Sequence, residues 1–216
     1  MPQKDLTEIV CIIDRSGSMG SIQKDAQGGF DAFIEEQKKV PGKATVTLAH
    51  FDDAYELVWE NRPLEDIKKG DYLLMPRGLT ALLDAIGKTV QKVGERLSKT
   101  AEEKRPEKVM VTIITDGQEN HSKEYKRKQI MEMINHQRDT YKWEFMFLAA
   151  NQDAIGEAQT IGIPAHLSMN FAASGQGVRA AYHVASKSMH RYRTTGHTEL
   201  PDDAEDDKVV VTATSK

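Results

Sequence analysis

The sequence lacks the features that would tie it to an oxidising compartment or to a membrane. Only one of its 216 residues is a cysteine, Cys11, so no disulfide can form within the chain. Cys11 lies in an apolar run, and we expect it to be a small buried side chain. No apolar run reaches the about 18 residues that a bilayer span needs. The amino-terminal segment MPQKDLTEIV also lacks the apolar core of a signal peptide. We therefore expect a cytoplasmic protein.

The sequence also has no large net charge and none of several common enzyme signatures. The formal net charge is −4, which gives no general reason to expect nucleic acid binding. There is no phosphate-binding P-loop, no G-x-S-x-G nucleophile turn and no H-x-x-x-H zinc pair. The seven histidines are scattered, and we expect His50, in a predicted strand, to be a structural residue with its hydrogen bonds satisfied.

Near-continuous apolar runs predict strands that are covered on both faces. These runs are IVCII at 9–13, VMVTII at 109–114 and FMFLAA at 145–150. Residues 44–60 differ, because two β-like halves flank the polar turn DDA, and they predict an antiparallel hairpin at a sheet edge. A short strand near 166–171 completes the predicted sheet.

Amphipathic patterns separate these strands and predict five helices. Their apolar residues recur every three or four positions, starting near residues 22, 79, 130, 153 and 178. The alternation of strands and helices predicts a three-layer α/β fold with a mostly parallel sheet and helices on both faces. We assign residues 1–193 to this domain and 194–216 to a flexible tail, because 199–207 holds six acidic residues and no basic one.

The chemistry of the sequence is concentrated where the predicted strands end. Asp14 ends the first strand and Asp116 ends the strand after residue 109, and ligands of such sheets bind outside the carboxyl ends of the strands. Two ionised carboxylates about 5 Å apart would repel by roughly 3 kcal/mol at an effective dielectric near 20. The alternating Ser16 and Ser18 offer neutral oxygens, which favours a hard cation such as Mg²⁺ as the compensating charge. Thr80, in PRGLTALLDAIG, stands at a loop–helix junction, either as an N-cap or as another hydroxyl at this site.

The segments DRSGSM, GLTALLDAI and TDGQEN together resemble the von Willebrand factor A domain. Its metal-ion-dependent adhesion site has the pattern D-x-S-x-S followed by a distant Thr and a distant Asp. The resemblance covers roughly residues 6–170, and it is closest to single-domain cytoplasmic members from bacteria and bacteriophages. It implies a Rossmann-like six-stranded sheet of order 3-2-1-4-5-6 with one antiparallel edge strand. The residues that match the metal site, for Mg²⁺ or else Mn²⁺ or Ca²⁺, are Asp14, Ser16, Ser18, Thr80 and Asp116.

The resemblance also implies a function: a metal-dependent protein-interaction module, not an enzyme. An Asp or Glu of a protein partner would fill an open coordination position of the cation. The loop residues that we expect at the partner rim are Arg15, Gln118, Glu119, Asn120, Asn151 and Asp153. The uncharged and acidic members of this set are also common turn formers and helix caps, and Arg15 is equally a solvated loop arginine.

Two other functions stay open at this stage. In haloacid dehalogenase-like phosphohydrolases an Asp after the first strand is the nucleophile, which would be Asp14 here. Those enzymes need a second Asp two positions on, where this chain has Ser16, and Lys108 is only a loose candidate for their basic residue. The basic stretch KEYKRK at 123–128 suggests nucleic acid binding, although it also fits a solvated first turn of the third helix with Ser122 as its cap.

Overall fold

The computed structural model describes residues 1–150 and 153–201. Asn151, Gln152 and residues 202–216, which include most of the predicted acidic tail, lie outside the described residues. No helix in the described part is long and apolar enough to cross a membrane.

Within residues 1–150 and 153–201, six strands and five helices follow one another in the predicted order. The strands are β1 (Gln3–Asp14), β2 (Lys43–Phe51), β3 (Tyr55–Pro63), β4 (Pro106–Thr115), β5 (Glu144–Ala150) and β6 (Ser168–Phe171). The helices are α1 (Gln23–Lys38), α2 (Leu82–Lys99), α3 (Arg127–Tyr141), α4 (Ala154–Thr160) and α5 (Gly175–Thr195).

The strands form one sheet of order β3-β2-β1-β4-β5-β6. Only β3 runs antiparallel, and it pairs with β2 through the turn at 52–54, so the predicted edge hairpin is confirmed. The remaining neighbours are parallel. The chain leaves β1 toward β2 on one side and returns to β4 on the other, which creates the crevice at the carboxyl ends of β1 and β4 where such sheets bind ligands.

The sheet divides the core into two halves by the alternation of its side chains. Ile9, Cys11 and Ile13 face α1 and α5, whereas Val10 and Ile12 face α2, α3 and α4. The period of two along each strand explains why the apolar runs are continuous, since both faces are covered. The predicted three-layer fold is therefore confirmed.

Two polar side chains in the sheet interior, Glu8 and His50, have surroundings that the sequence did not predict. Glu8, on the part of β1 that precedes the apolar run, is fully buried and bonds to Arg96 and to the Thr47 hydroxyl, at 2.7 Å from the latter. His50 is buried on β2, and its Nε2 is a buried atom without a hydrogen-bond partner in the described residues, so the expectation of a satisfied histidine is wrong. Burial lowers the pKa of His50 to about 4.

The carboxyl end of the domain extends past the predicted boundary. Helix α5 runs to Thr195, so the boundary between residues 193 and 194 falls inside this helix. Beyond it, the Glu199 carbonyl accepts a hydrogen bond from the Ser188 hydroxyl at 2.9 Å, and Leu200 packs against the core. The first residues of the predicted tail therefore fold back onto α5.

Candidate metal site

Three loops meet at the crevice between β1 and β4. The first loop, residues 15–22, follows β1; the second, residues 76–81, precedes α2; the third, residues 116–126, follows β4. Strands β1 and β4 are parallel neighbours paired up to Ile13 and Ile114, so the first and third loops leave the sheet side by side.

Asp14 is buried at the end of β1 and held in one orientation. Its Oδ1 accepts a hydrogen bond from the Ser16 backbone N–H at 2.6 Å, and its Oδ2 accepts one from the Thr115 hydroxyl at 2.5 Å. Thr115 is the last residue of β4. The carboxylate therefore ties the ends of the two central strands together, and each of its oxygens keeps lone-pair capacity for a further contact.

The hydroxyls of Ser16 and Ser18 connect the first loop to the third. Their Oγ atoms lie 3.1 Å apart, and the Ser18 hydroxyl donates to Asp116 Oδ1 at 2.6 Å. Ser16 is buried and Ser18 is exposed. A line of oxygens thus runs from the interior of the crevice to its surface.

Thr80 brings the second loop to the same place, and of its two predicted alternatives the N-cap is wrong. Helix α2 begins two residues later, and its N-cap, Ala81, makes no side-chain capping bond. The Thr80 N–H instead donates to Asn120 Oδ1, and the Thr80 carbonyl accepts from the Asn120 N–H, both at 3.0 Å. These bonds keep residue 80 out of the helix and fix it against the third loop.

The Thr80 hydroxyl and the Asp14 carboxylate border a common space beside Gly117. A Cβ atom on Gly117 would lie 2.8 Å from Thr80 Oγ1 and 3.5 Å from Asp14 Oδ2. A side chain at residue 117 would therefore enter the space between these oxygens, which explains why the third loop has glycine directly after Asp116.

The third loop also caps α2. Glu119 accepts a hydrogen bond from the Leu83 N–H at 2.9 Å, and Ser122 Oγ accepts one from the Asp84 N–H at 3.1 Å, so two of the free N–H groups of the first helical turn are satisfied. Asp84 in return accepts from the backbone N–H groups of residues 123–125, at 2.9, 3.0 and 2.8 Å. Ser122 thus caps α2 and not α3 as predicted, because α3 begins further along the chain.

Arg15 follows Asp14 directly, but its side chain points away from the crevice. It is only 6% exposed, its Nε donates to Asp52 Oδ2 at 2.8 Å, and its Nη1 bonds to Glu56. Because these acids lie in the hairpin β2–β3, Arg15 fastens the first loop to that hairpin. The expectation that Arg15 is a rim residue or a solvated loop arginine is wrong.

Arg77, and not Arg15, is the exposed arginine beside the crevice. Its Nε donates to the same Asp52 oxygen at 2.8 Å, yet 64% of its side chain is exposed. Sequence reasoning missed Arg77, although it stands in the segment PRGLT that supplied Thr80. The arginine is visible in this segment of the sequence. That Arg77 is exposed and Arg15 is buried follows from their shared partner Asp52, which is distant from both in sequence.

No ion pair within the described residues compensates the two carboxylates of the crevice. Burial raises the pKa of Asp14 to about 6, against the lowering effect of its hydrogen bonds from Thr115 and Ser16, and burial also raises the pKa of Asp116. The ionised pair therefore favours a bound cation.

The donor set fits a hard divalent cation. It holds two carboxylates, from Asp14 and Asp116, and three hydroxyls, from Ser16, Ser18 and Thr80, with no nitrogen or sulfur. The described residues contain no group of three or more His, Cys, Asp or Glu that could hold a metal, so a metal here would depend on the hydroxyls. With both carboxylates ionised their two negative charges formally balance a divalent cation, and the three hydroxyls add no further negative charge.

The other predicted rim residues have different positions. Gln118 and Asn120 are exposed on the third loop, and Glu119 is half-buried in its capping contacts. Asp153 is exposed and caps α4, accepting from the Gly156 N–H at 2.9 Å. Asn151 lies outside the described residues.

Two residues considered for the alternative functions, Lys108 and Arg127, have structural contacts away from the crevice. Lys108 is opposite Thr7 in the sheet, toward the amino end of β4, and its Nζ donates to the Arg193 carbonyl at 2.7 Å. Lys108 is therefore at the opposite end of β4 from Asp116.

Within the basic stretch 123–128, Glu124 pairs with Lys88 at 2.6 Å and Arg127 pairs with Glu157.

Comparison with known proteins bears on the fold. No protein-family model matches the sequence, and no curated protein matches it. Similar solved structures include proximal thread matrix protein 1 from the mussel byssus with a zinc-occupied MIDAS motif (15% identity, 85% of this chain and 46% of that chain, TM-score 0.63). They also include a von Willebrand factor type A structure from Catenulispora acidiphila (13%, 85% and 42%, 0.60) and the ArnB paralog VWA2 from Sulfolobus acidocaldarius (13%, 84% and 44%, 0.52).

These similarities establish a von Willebrand factor A-like α/β fold for the chain. The chain spans less than half the length of these three structures. At such low identity the likeness concerns the fold, and function has to be argued from the crevice itself.

Proposed function

We propose that this chain is a protein-interaction module that binds a divalent cation, Mg²⁺ in the first instance, and through it an acidic side chain of a partner protein. The residues that would hold the cation are Asp14, Ser16, Ser18, Thr80 and Asp116. In this proposal the chain is not an enzyme.

One observation carries the proposal: three separate loops bring only oxygen groups to one crevice and leave a space between them that glycine keeps free. The Thr80 hydroxyl and the Asp14 carboxylate border this space beside Gly117, and the Ser18 hydroxyl bonds to Asp116, which directly precedes Gly117. The zinc-occupied MIDAS motif in a structure of the same fold supports a metal at this place.

The chain's own residues set the charge and access of the site. Asp14 is fixed by Thr115, and Asp116 by Ser18, so the oxygens are positioned before any ligand arrives. A bound cation would supply an electrophilic centre that attracts a carboxylate, because three of its five protein donors are neutral. Ser18 is exposed, which leaves the outer side of the crevice open to a partner.

No observation favours the phosphohydrolase. The position two residues after Asp14 is occupied by the Ser16 hydroxyl, which cannot serve as the acid that those enzymes need. Lys108 lies at the other end of β4. For the nucleic acid alternative, Arg127 of the stretch 123–128 is paired with Glu157, while Lys123, Lys126 and Lys128 are exposed, and the formal net charge of the chain is −4.

A carboxylate titration tests the open position on the metal. The full chain would be loaded with Mn²⁺, and the relaxation rate of water protons would be followed as acetate is added, with acetamide and sodium chloride as controls. We expect acetate alone to lower the relaxation enhancement, because it displaces water from the bound ion. Bound Mn²⁺ whose relaxation enhancement does not respond to acetate would overturn the proposal.

A further inference from the structure

The exposed apolar side chains of the molecule are concentrated beside the candidate metal site. Six large apolar side chains of the described residues are exposed, and three of them lie within residues 73–79. They are Leu73, Met75 and Leu79, with exposed fractions of 65%, 71% and 50%. We call these three residues the apolar rim.

The segment that carries the apolar rim runs along α1 toward the crevice. The Gln27 side chain donates to the Tyr72 carbonyl at 3.4 Å, and the Gln23 side chain donates to the Leu74 carbonyl at 2.6 Å. Since α1 begins at Gln23, this path runs toward the helix end that follows the first loop. The segment is thereby anchored on its inner side.

Side chains of this segment alternate between the core and solvent. Tyr72 and Leu74 are each 1% exposed, whereas Leu73 and Met75 point outward. This period of two is that of an extended chain, in which alternate side chains on one face are about 7 Å apart. The outward positions are thus fixed by the burial of their neighbours, and the exposure of Leu73 and Met75 is built into the fold.

The apolar rim is continuous with the loops that would hold the metal. The Gly17 N–H donates to the Gly78 carbonyl at 3.2 Å, and the Arg77 N–H donates to the Arg15 carbonyl at 2.8 Å, so the second loop lies against the first. Leu79 directly precedes Thr80. A ligand on the exposed Ser18 side of the crevice would therefore meet this surface.

An exposed guanidinium lies at the same place. Arg77, between Met75 and Leu79, keeps 64% of its side chain exposed while it bonds to Asp52. An exposed cation flanked by apolar side chains complements a segment that has a carboxylate and apolar residues close together.

From these relationships, and resting on the proposed function, we infer that the partner presents an extended segment whose Asp or Glu is flanked by large apolar side chains. The carboxylate would occupy the open side of the metal site, and the apolar side chains would cover Met75 and Leu79, with Leu73 next along the segment. Burying these apolar side chains would add binding free energy to that of the bond between the carboxylate and the metal.

Selection from a random peptide library tests this partner chemistry. The full chain would be immobilised in Mg²⁺ and exposed to a library of displayed 16-residue peptides, with a parallel selection in EDTA. We expect the peptides that depend on Mg²⁺ to carry an Asp or Glu with Leu, Ile, Phe or Met within three positions. Acid-containing peptides without apolar enrichment would overturn the inference and leave the proposed function standing.

Substitutions in the apolar rim measure how much it contributes to peptide affinity. For the best selected peptide, measured by fluorescence polarisation, we expect Met75→Ser and Leu79→Ser each to weaken binding by about 5- to 30-fold, as expected for the loss of one buried apolar contact. Mg²⁺ affinity should stay unchanged in both. The control Tyr141→Ser removes an apolar side chain that is 58% exposed at the end of α3 and should change neither value.

The remaining outcomes separate the two proposals. Peptides that bind equally well in EDTA, or after their acid is replaced by the amide, would contradict joint recognition by metal and apolar rim. Mg²⁺-dependent self-association of the chain, abolished by Met75→Ser, would identify a second copy as the occupant and overturn the inference. A chain that binds neither Mg²⁺ nor any peptide in a Mg²⁺-dependent way would refute the proposed function itself.

Discussion

The Thr80 hydroxyl oxygen lies 2.8 Å from the position that a Cβ atom on Gly117 would occupy. Real Cβ atoms essentially never approach another heavy atom below 3.0 Å, so residue 117 can carry a side chain only if Thr80 or the third loop moves. The Thr80 N–H donates to Asn120 Oδ1 and the Thr80 carbonyl accepts from the Asn120 N–H, so this movement would disturb the candidate metal site.

Gly117→Ala should therefore weaken Mg²⁺ binding by at least about tenfold, which corresponds to a loss of about 1.4 kcal/mol. The measurement is a calorimetric titration of Mg²⁺ into the metal-free chain. Gly28→Ala is the matched control, because a Cβ there has no heavy atom within 4 Å. Equal Mg²⁺ affinity of both variants would show that the space beside Gly117 does not serve the cation.

Asp84 should be important for stability because it holds the third loop. Its carboxylate accepts three backbone N–H bonds, whereas an amide has one acceptor oxygen and would place its NH₂ group against an N–H. We expect Asp84→Asn to lower the free energy of unfolding by about 2 kcal/mol, measured by urea denaturation in EDTA. Asp139→Asn, at an exposed position of α3, is the control, and a similar effect of the two substitutions would argue against this role.

Asp52 should be important for a different reason: it neutralises a buried guanidinium. In Asp52→Ala, Arg15 stays buried, and Glu56 is its one remaining acidic partner among the described residues. We expect the free energy of unfolding to fall by about 3 kcal/mol or more. Glu36→Ala, which breaks the exposed ion pair with Lys39, should cost less than about 1 kcal/mol. Thermal or urea unfolding compares them, and a loss at Asp52 no larger than that at Glu36 would contradict the account.

His50 should make the stability of the chain fall in acid. Its pKa is about 4 in the folded chain and 6.5 in the unfolded reference, so the unfolded chain binds more protons as the pH drops through this interval. Stability is thus lost between about pH 6.5 and 4, by roughly 3 kcal/mol in total. His50→Phe should remove this part of the pH dependence. Parallel stability–pH curves for wild type and variant over that range would count against the assignment.

Local patterns were enough to predict the fold because each strand and helix carries its own periodicity. The runs at 9–13 and 109–114 lie within β1 and β4, and the polar turn at 52–54 marked the hairpin. The apolar run is shorter than β1, which begins at Gln3. Residues 3–6 of the strand are only partly covered, and the buried Thr7 and Glu8 that follow them are polar.

Roles that depend on distant partners could not be predicted. Arg15 is buried because Asp52 and Glu56 stand in the neighbouring hairpin, and nothing in the local sequence DRSGSM shows that contact. Glu119 and Ser122 cap α2 from the third loop, and no spacing rule covers a cap supplied from so far along the chain. Cap prediction fails there because it considers only neighbours in sequence.

The central claim is that a divalent cation binds at the crevice between β1 and β4, and one measurement tests it most directly. Mg²⁺ would be titrated calorimetrically into metal-free wild type, Asp14→Asn and Asp153→Asn, with the electron paramagnetic resonance signal of free Mn²⁺ as a second readout of binding. The account predicts one site in wild type and in Asp153→Asn, whose carboxylate caps α4, and none in Asp14→Asn. Absence of a site in the wild type, or a site that persists in Asp14→Asn, would contradict it.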